Sequence, residues 1–214
     1  MLHIMNDKLK VNEIFDSIEG EGKRAGELVT FIRLTGCNLR CSYCDTAYAF
    51  NEGLELRISD IMDNVNYRNV TLTGGEPLIQ PIEPLLTALS SHYVNIETNG
   101  SIFIKPYFDY TNIFFTMDYK CSSSNEQSKM FLDNLNILRK QDVLKFVVGS
   151  VQDLQEAKSI CKRYRPKAKI YVSPVFGRIE PADIVKFMKE FNLQNWKLQL
   201  QLHKFVWDPK KRGV

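Results

Sequence analysis

Short runs of β-branched and aromatic residues alternate with amphipathic stretches along most of the chain, and this alternation restricts the fold more than any other feature. The strand-like runs are Leu28 to Leu34, Val70 to Thr73, Tyr93 to Thr98, Ile113 to Met117, Leu144 to Val148, Lys169 to Val172 and Lys197 to Leu200. Between them, apolar spacings of three to four residues predict helices over Ile58 to Asn66, Pro81 to Ser91, Glu126 to Leu138, Asp153 to Tyr164 and Pro181 to Phe191. Strands alternating with helices imply β/α units and a parallel sheet. The units are too few for a full eight-fold barrel, which takes about 250 residues, and the chain has 214. The expectation is therefore an α/β fold, an open partial (β/α) barrel of about six parallel strands. No low-complexity linker or repeat divides the chain, so residues 1–214 read as a single domain. In parallel β/α folds active sites gather at the carboxyl ends of the strands.

A composition of 44% apolar and 25% charged residues suits an ordinary globular protein. Lys plus Arg is 28 against Asp plus Glu at 25, and only Lys204 to Arg212 concentrates positive charge, a balance that calls for no nucleic acid. The apolar runs, such as Val143 to Val148, fall short of the roughly 20 residues of a membrane span, and the N-terminus lacks a signal-peptide pattern. A cytoplasmic protein with no membrane partner is expected. Five cysteines, three of them within eight residues, make a poor disulfide framework. In a reducing compartment such a cluster reads as metal binding. Cys121 and Cys161 stand apart, and Cys161 reads as a small buried side chain on a helix.

The first strand leads directly into Thr35-Gly-Cys-Asn-Leu-Arg-Cys-Ser-Tyr-Cys-Asp-Thr46, with Cys37, Cys41 and Cys44 spaced C-x3-C-x2-C. Three thiolates can ligate three irons of a [4Fe-4S] cubane and leave the fourth iron open. Gly36 permits a tight path after the strand, and Arg40 can offset the negative charge. Structural zinc wants four ligands, and no second pair or nearby histidine supplies the fourth. The next strand ends in Thr73-Gly-Gly-Glu-Pro77, bare backbone beside a carboxylate and a proline suited to opening a helix. Alone, this would be only a strand-to-helix turn. Ile96-Glu-Thr-Asn-Gly100 and Met117-Asp-Tyr-Lys-Cys-Ser122 close two further strands with polar groups.

The cysteine spacing, with Tyr43 before the last cysteine and Gly-Gly-Glu-Pro one strand later, resembles the radical S-adenosylmethionine superfamily. The resemblance implies S-adenosylmethionine beside the cluster, with Tyr43 packing by its adenine. Gly74, Gly75 and Glu76 would accept from the ammonium of its methionine part. Gly100, the stretch Asp118, Tyr119 and Lys120, and the stretch Ser173, Pro174, Val175 and Phe176 would contact the nucleoside. Glu13 to Gly22, Arg33-Leu-Thr-Gly-Cys37, Cys44-Asp-Thr46, Glu97-Thr-Asn-Gly100 and Gln201-Leu-His-Lys204 are similar to the 7-carboxy-7-deazaguanine synthase family, essentially from Val11 onward.

That similarity implies ring contraction of 6-carboxy-5,6,7,8-tetrahydropterin to 7-carboxy-7-deazaguanine with release of ammonia, on the route to 7-deazapurines such as queuosine. It further implies Mg2+ at Thr46, an electron donor such as flavodoxin or ferredoxin, and a homodimer. Arg33 is suited to the substrate carboxylate, while Ile18, Glu19 and Gly20 face the guanidine-like edge. The family commonly carries Gln where this chain has Glu19. Thr98 is implied as a substrate contact, and His203 as a pocket residue, since His3 lies in a terminal arm and His92 at a helix end. Glu13 and Glu21 read as solvated acids near a turn. A glycyl-radical activase would share the cysteine spacing, but its polypeptide substrate would not need Arg33 and Thr46. A structural metal-binding module would leave Gly-Gly-Glu-Pro unexplained.

Overall fold

A computed structural model describes residues 7–208 and 211–214. His3 and, in the basic tail, Pro209 and Lys210 lie outside the described residues. The strands form one sheet: β1 (Lys8–Ile18), β2 (Leu28–Leu34), β3 (Leu54–Arg57), β4 (Asn69–Gly74), β5 (Tyr93–Thr98), β6 (Ile113–Tyr119), β7 (Val143–Val148), β8 (Lys169–Pro174) and β9 (Trp196–Leu198). Their order is β3-β1-β2-β4-β5-β6-β7-β8-β9. From β2 through β9 every pairing is parallel, so seven strands build the open barrel, while β1 and β3 extend its first edge antiparallel.

The helices are α1 (Ile58–Met62), α2 (Glu83–Ala88), α3 (Asn134–Ile137), α4 (Val151–Tyr164), α5 (Pro181–Glu190) and α6 (His203–Val206). Side chains alternate across each strand with period two, and the two faces of the sheet differ sharply. Val70, Leu72, Val94, Ile96, Leu144 and Phe146 are fully buried in the apolar core on the convex face, with Leu85, Leu86, Leu154 and Ile184 from the helices. The concave face carries Thr71, Thr73, Asn95, Glu97, Thr116, Asp118 and Lys145, and there the functional cavity lies. No helix of the described residues is long and apolar enough to cross a membrane.

Three expectations differ from the structure. β1 is an eleven-residue strand not foreseen from its sequence, because a register shift between Val11 and Glu13 reverses its alternation. Leu9 and Val11 therefore face the core, whereas Phe15, two positions on in the same odd-numbered set, faces the cavity. The strand β3, Leu-Glu-Leu-Arg, is only four residues long, too short for its alternation to mark a strand. Over 126–138 a continuous helix is replaced by a 3-10 turn at Gln127–Lys129 and the single turn α3. There the Asn134 side chain accepts from Ile104 N at 3.2 Å and donates to Ile102 O at 2.7 Å, bracing the chain after β5 instead of facing solvent.

A buried charge cluster ties β6 to β7. Asp142 is fully buried and accepts from Phe115 N at 3.0 Å, Arg139 N at 2.7 Å, Arg139 Nε at 3.0 Å and Arg139 Nη2 at 2.9 Å. Removing the acid would strand these donors and a half-buried guanidinium. Asp142→Ala should cost about 3 kcal/mol in urea denaturation, while the exposed Lys167→Ala should stay within about 0.5 kcal/mol.

Candidate active site

A cavity of about 820 Å³ opens at the carboxyl ends of the parallel strands, within the range of small-ligand sites. Its walls bring together Ile18, Glu19, Gly20, Arg33, Cys37, Cys41, Tyr43, Cys44, Thr46, Gly74, Gly75, Thr98, Asp118, Lys120, Pro174, Val175, Phe176 and His203, residues scattered over the sequence. Tyr119 instead packs on the convex side, its ring 5.4 Å from that of Phe146. Ser173 is buried outside the cavity wall, as are Gly100 and Glu76.

The cysteine loop is held in shape by its own neighbours. Arg40 N donates to Glu126 Oε1 at 2.7 Å, its Nη1 donates to the carbonyls of Cys37 (2.8 Å) and Leu39 (2.7 Å), and Ser42 N donates to Ser124 O at 3.0 Å. Cys37 Sγ accepts from Leu39 N and Asn99 Nδ2. The three thiols are free and only partly exposed. Burial raises the Cys37 thiol and pushes Cys41 up to about 11, so their deprotonation calls for a bound metal. Among the described residues, the metal-ligand groups that lie within 4.8 Å of one another are Cys121, Asp153 and Glu156. The Cys121 group is already saturated: Asp153 accepts from Ser123 N and Gly149 N, and Glu156 from Ser122 N and Gln127 Nε2.

Gly74 and Gly75 carry no side chain because β2 and the cysteine loop lie against them. A Cβ on Gly74 (φ +147°) would meet Leu34 O at 2.2 Å, and one on Gly75 would meet Gly36 O at 2.0 Å. Glu76 turns the other way. Fully buried, it accepts from Leu78 N at 3.0 Å, Thr98 Oγ1 at 2.9 Å and Asn99 N at 2.6 Å. The carboxylate expected to meet a ligand ammonium therefore braces the ends of β4 and β5, while Thr73, Gly74 and Gly75 present that motif to the cavity. Tyr43 lies in the wall and donates to Val147 O at 3.3 Å.

The β1–β2 connection folds inward as the floor of the cavity. Arg24, 7% exposed, donates to Tyr93 O (2.9 Å), Val70 O (3.0 Å) and Thr71 Oγ1 (3.0 Å) and pairs with Glu19 at 3.3 Å. Thr71 Oγ1 also donates to Glu19, at 2.5 Å. Burial, reinforced by the Glu97 charge, pushes Glu19 up to about 7. Glu21 is not the solvated acid expected: it is buried, and Lys145 Nζ lies 2.6 Å from its Oε2. Lys145 also lies 3.7 Å from Asp118 Oδ2, which Lys120 Nζ holds at 2.9 Å. Glu97 lines the same floor and accepts from Thr73 Oγ1 at 2.8 Å. Lys145, Glu21 and Glu97 escaped the sequence reading. The available signal was a lysine inside the apolar run Val143-Leu144-Lys145-Phe146, a rare burial unless the charge is partnered.

At the opposite wall Arg33 sits directly across the β1–β2 ladder from Glu13, and its Nε donates to Glu13 Oε1 at 2.7 Å. Glu13 is therefore ion-paired, not merely solvated. This contact occupies the Nε edge, so the NH2-bearing end can serve an anionic ligand. The rings of Phe15 and Phe31 stack beside it at 4.9 Å, a flat wall. Thr46 Oγ1 donates to Asp45 Oδ1 at 3.2 Å, so two oxygen donors adjoin at the cavity rim. His203 opens α6, and its ring occupies the space a Cβ on Gly20 would need. Burial lowers its pKa, which disfavours the imidazolium.

The sequence profile of the radical SAM superfamily matches residues 31–191, the stretch that holds the cysteine loop and most of the parallel sheet. A 7-carboxy-7-deazaguanine synthase of Clostridium acetobutylicum is 45% identical over 96% of this chain and 99% of its own length. One from Methanospirillum hungatei is 39% identical over 94% and 86%. The chain belongs to the radical SAM superfamily and, within it, to the 7-carboxy-7-deazaguanine synthase family. The fold of the solved QueE from Escherichia coli superimposes with a TM-score of 0.73 at 23% identity, over 91% of this chain and 94% of that one. Membership in the superfamily implies a [4Fe-4S] cluster and S-adenosylmethionine.

For this family member the floor should govern pH behaviour. The folded chain holds the Glu19 proton more tightly than the unfolded chain, about 7 against 4.5, so folding takes up a proton between those values and stability falls as pH rises through that window. Glu19→Gln has no proton to take up. In urea titrations of the apoprotein it should exceed wild type by up to about 3 kcal/mol at pH 8, with the difference vanishing toward pH 4. An unchanged pH slope in the variant would assign the effect to another group.

Proposed function

We propose that residues 1–214 act as one catalytic domain that converts 6-carboxy-5,6,7,8-tetrahydropterin to 7-carboxy-7-deazaguanine and ammonia. The observation that carries this reading is a single cavity in which the three thiols face, across the same space, an arginine suited to a carboxylate and a floor of carboxylates. The substrate is flat, anionic at one end and rich in N–H donors at the other. Arg33 suits the anionic end, Phe15 and Phe31 the flat faces, and Glu19, Glu21 and Glu97 the donor edge. Bound at Cys37, Cys41 and Cys44, the cluster with S-adenosylmethionine would supply the radical that removes hydrogen from the substrate carbon bearing the carboxylate.

The chain's own share is placement and exclusion of water. Gly74 and Gly75 offer backbone to the methionine part, Tyr43, Val175 and Phe176 pack the nucleoside, and Thr98 and His203 complete the substrate walls. Thr46 would hold Mg2+, a hard cation that wants oxygen ligands, with Asp45 beside it and substrate oxygens completing the shell. Metal affinity should then rise when substrate is present. We extend the reading to a cytoplasmic homodimer served by an electron donor such as flavodoxin or ferredoxin; free loop thiols support a reducing compartment.

Anaerobic turnover of the reconstituted protein with reductant, S-adenosylmethionine, Mg2+ and the tetrahydropterin should yield 7-carboxy-7-deazaguanine by mass spectrometry. 5′-Deoxyadenosine without that product would retain the superfamily chemistry and replace the substrate. Cys41→Ala should abolish cofactor cleavage. Arg33→Ala should leave 5′-deoxyadenosine formation in place and raise the pterin KM about tenfold or more, and wild-type KM in that variant would remove Arg33 from the substrate site.

A further inference from the structure

Lys145 stands out within β7. Its neighbours Val143, Leu144 and Phe146 are fully buried apolar residues, yet its side chain, 9% exposed, carries an ammonium to the concave floor. There it meets two acids from different parts of the chain: Glu21, on the inward-folded β1–β2 connection, and Asp118, at the end of β6. Each acid has one oxygen held and one left over. Glu21 Oε2 is held by Lys145, and Asp118 Oδ2 by Lys145 and Lys120. Glu21 Oε1 and Asp118 Oδ1 are both buried with no hydrogen-bonding partner among the described residues, although both acids line the cavity. A buried unpaired carboxylate oxygen is unfavourable for folding alone. Each acid therefore depends on its ion pairing at the other oxygen.

We propose that Lys145 is a positioning residue that fixes Glu21 on the substrate side of the cavity and Asp118 on the cofactor side, and so sets the two ligands in register. Pinning one oxygen of a carboxylate sets the direction of the other. One compact ammonium between two acids therefore fixes both carboxylates where their residues line the cavity. Burial alone would lower the Lys145 pKa, but Glu21, Asp118 and Glu97 outweigh it and hold the group well above its ordinary value, so it stays charged. The inference rests on the substrate reading given above. Its consequence is coupling: without the shared ammonium both ligands still find the cavity, but the reacting atoms lose their mutual placement.

Lys145→Met tests this with two equilibrium readouts and one kinetic one. Fluorescence titration of the apoprotein with unreactive 6-carboxypterin should show about tenfold weaker binding, and equilibrium dialysis with S-adenosylhomocysteine a loss of about threefold or more. The reconstituted variant, with wild-type iron content, should release about ten times more 5′-deoxyadenosine per 7-carboxy-7-deazaguanine than wild type. Lys145→Arg, which keeps the charge, should recover most of all three. If Lys145→Met does not fold by circular dichroism, Lys145→Gln carries the same measurements. Ligand affinities within twofold of wild type and unchanged coupling in a folded variant would overturn the proposal. A wild-type protein that cleaves the cofactor but makes no deazapurine would instead overturn the substrate reading, and the S-adenosylhomocysteine affinities would still decide the role of Lys145.

Discussion

A charged group taken out of water costs several kcal/mol unless it is paired and hydrogen-bonded, and the concave face of this sheet is built from such groups. That constraint organises the molecule. The apolar face of each strand is absorbed by the helices, so the polar face must be satisfied by something other than a second apolar layer. The chain does this with its own β1–β2 connection, which folds into the barrel and delivers Arg24 to Glu19, Thr71 and two strand carbonyls, and Glu21 to Lys145. Gly22 N then donates to Gln199 Oε1 at 2.6 Å and Leu202 N to Gly20 O at 3.0 Å, so the same segment also fastens the far end of the sheet to the near end. A sheet that is open in its hydrogen-bond ladder is thereby bridged from within.

The parallel strands were legible because their convex-face residues are uniformly apolar, as in Val70-Thr-Leu-Thr73 and Ile113-Phe-Phe-Thr-Met117. β1 was not, because one extra residue near Asn12 reverses its facing and mixes core with cavity positions in a single odd-numbered set. The stretch 126–138 has helical spacing, yet Asn134 gains more from three backbone partners across the fold than from a helix, and Asn125 at φ +64° already turns the chain. Local pattern loses to a tertiary hydrogen-bond set wherever a buried backbone would otherwise be left unpaired.

The same division runs through the site. Cysteines and glycines were visible because their chemistry or lack of bulk fits few roles, whereas Glu21 and Lys145 are ordinary charged residues whose burial depends on a partner 124 positions away. Glu76 shows the reverse: a motif residue whose side chain serves the scaffold. By gathering Thr98 Oγ1 and Asn99 N it sets the end of β5, and Asn99 Nδ2 then donates to Cys37 Sγ and to Asn38 Oδ1. The glycines of that motif let the cysteine loop approach, and its acid holds the neighbouring strand end against that loop.

Glu19 poses the remaining question, since the resembling family commonly has Gln there. In water the exchange trades an anion for a neutral amide. In this floor it is smaller, because burial and the facing Glu97 push the carboxyl up to about 7, so near neutral pH much of it is a neutral acid. A protonated carboxyl has, like an amide, one donor side and one acceptor side. Thr71 Oγ1 and Arg24 Nη2 both donate to Oε2, which leaves Oε1 as the atom able to carry the proton toward the cavity. The substitution thus preserves the hydrogen-bonding pattern of an amide while making it dependent on pH.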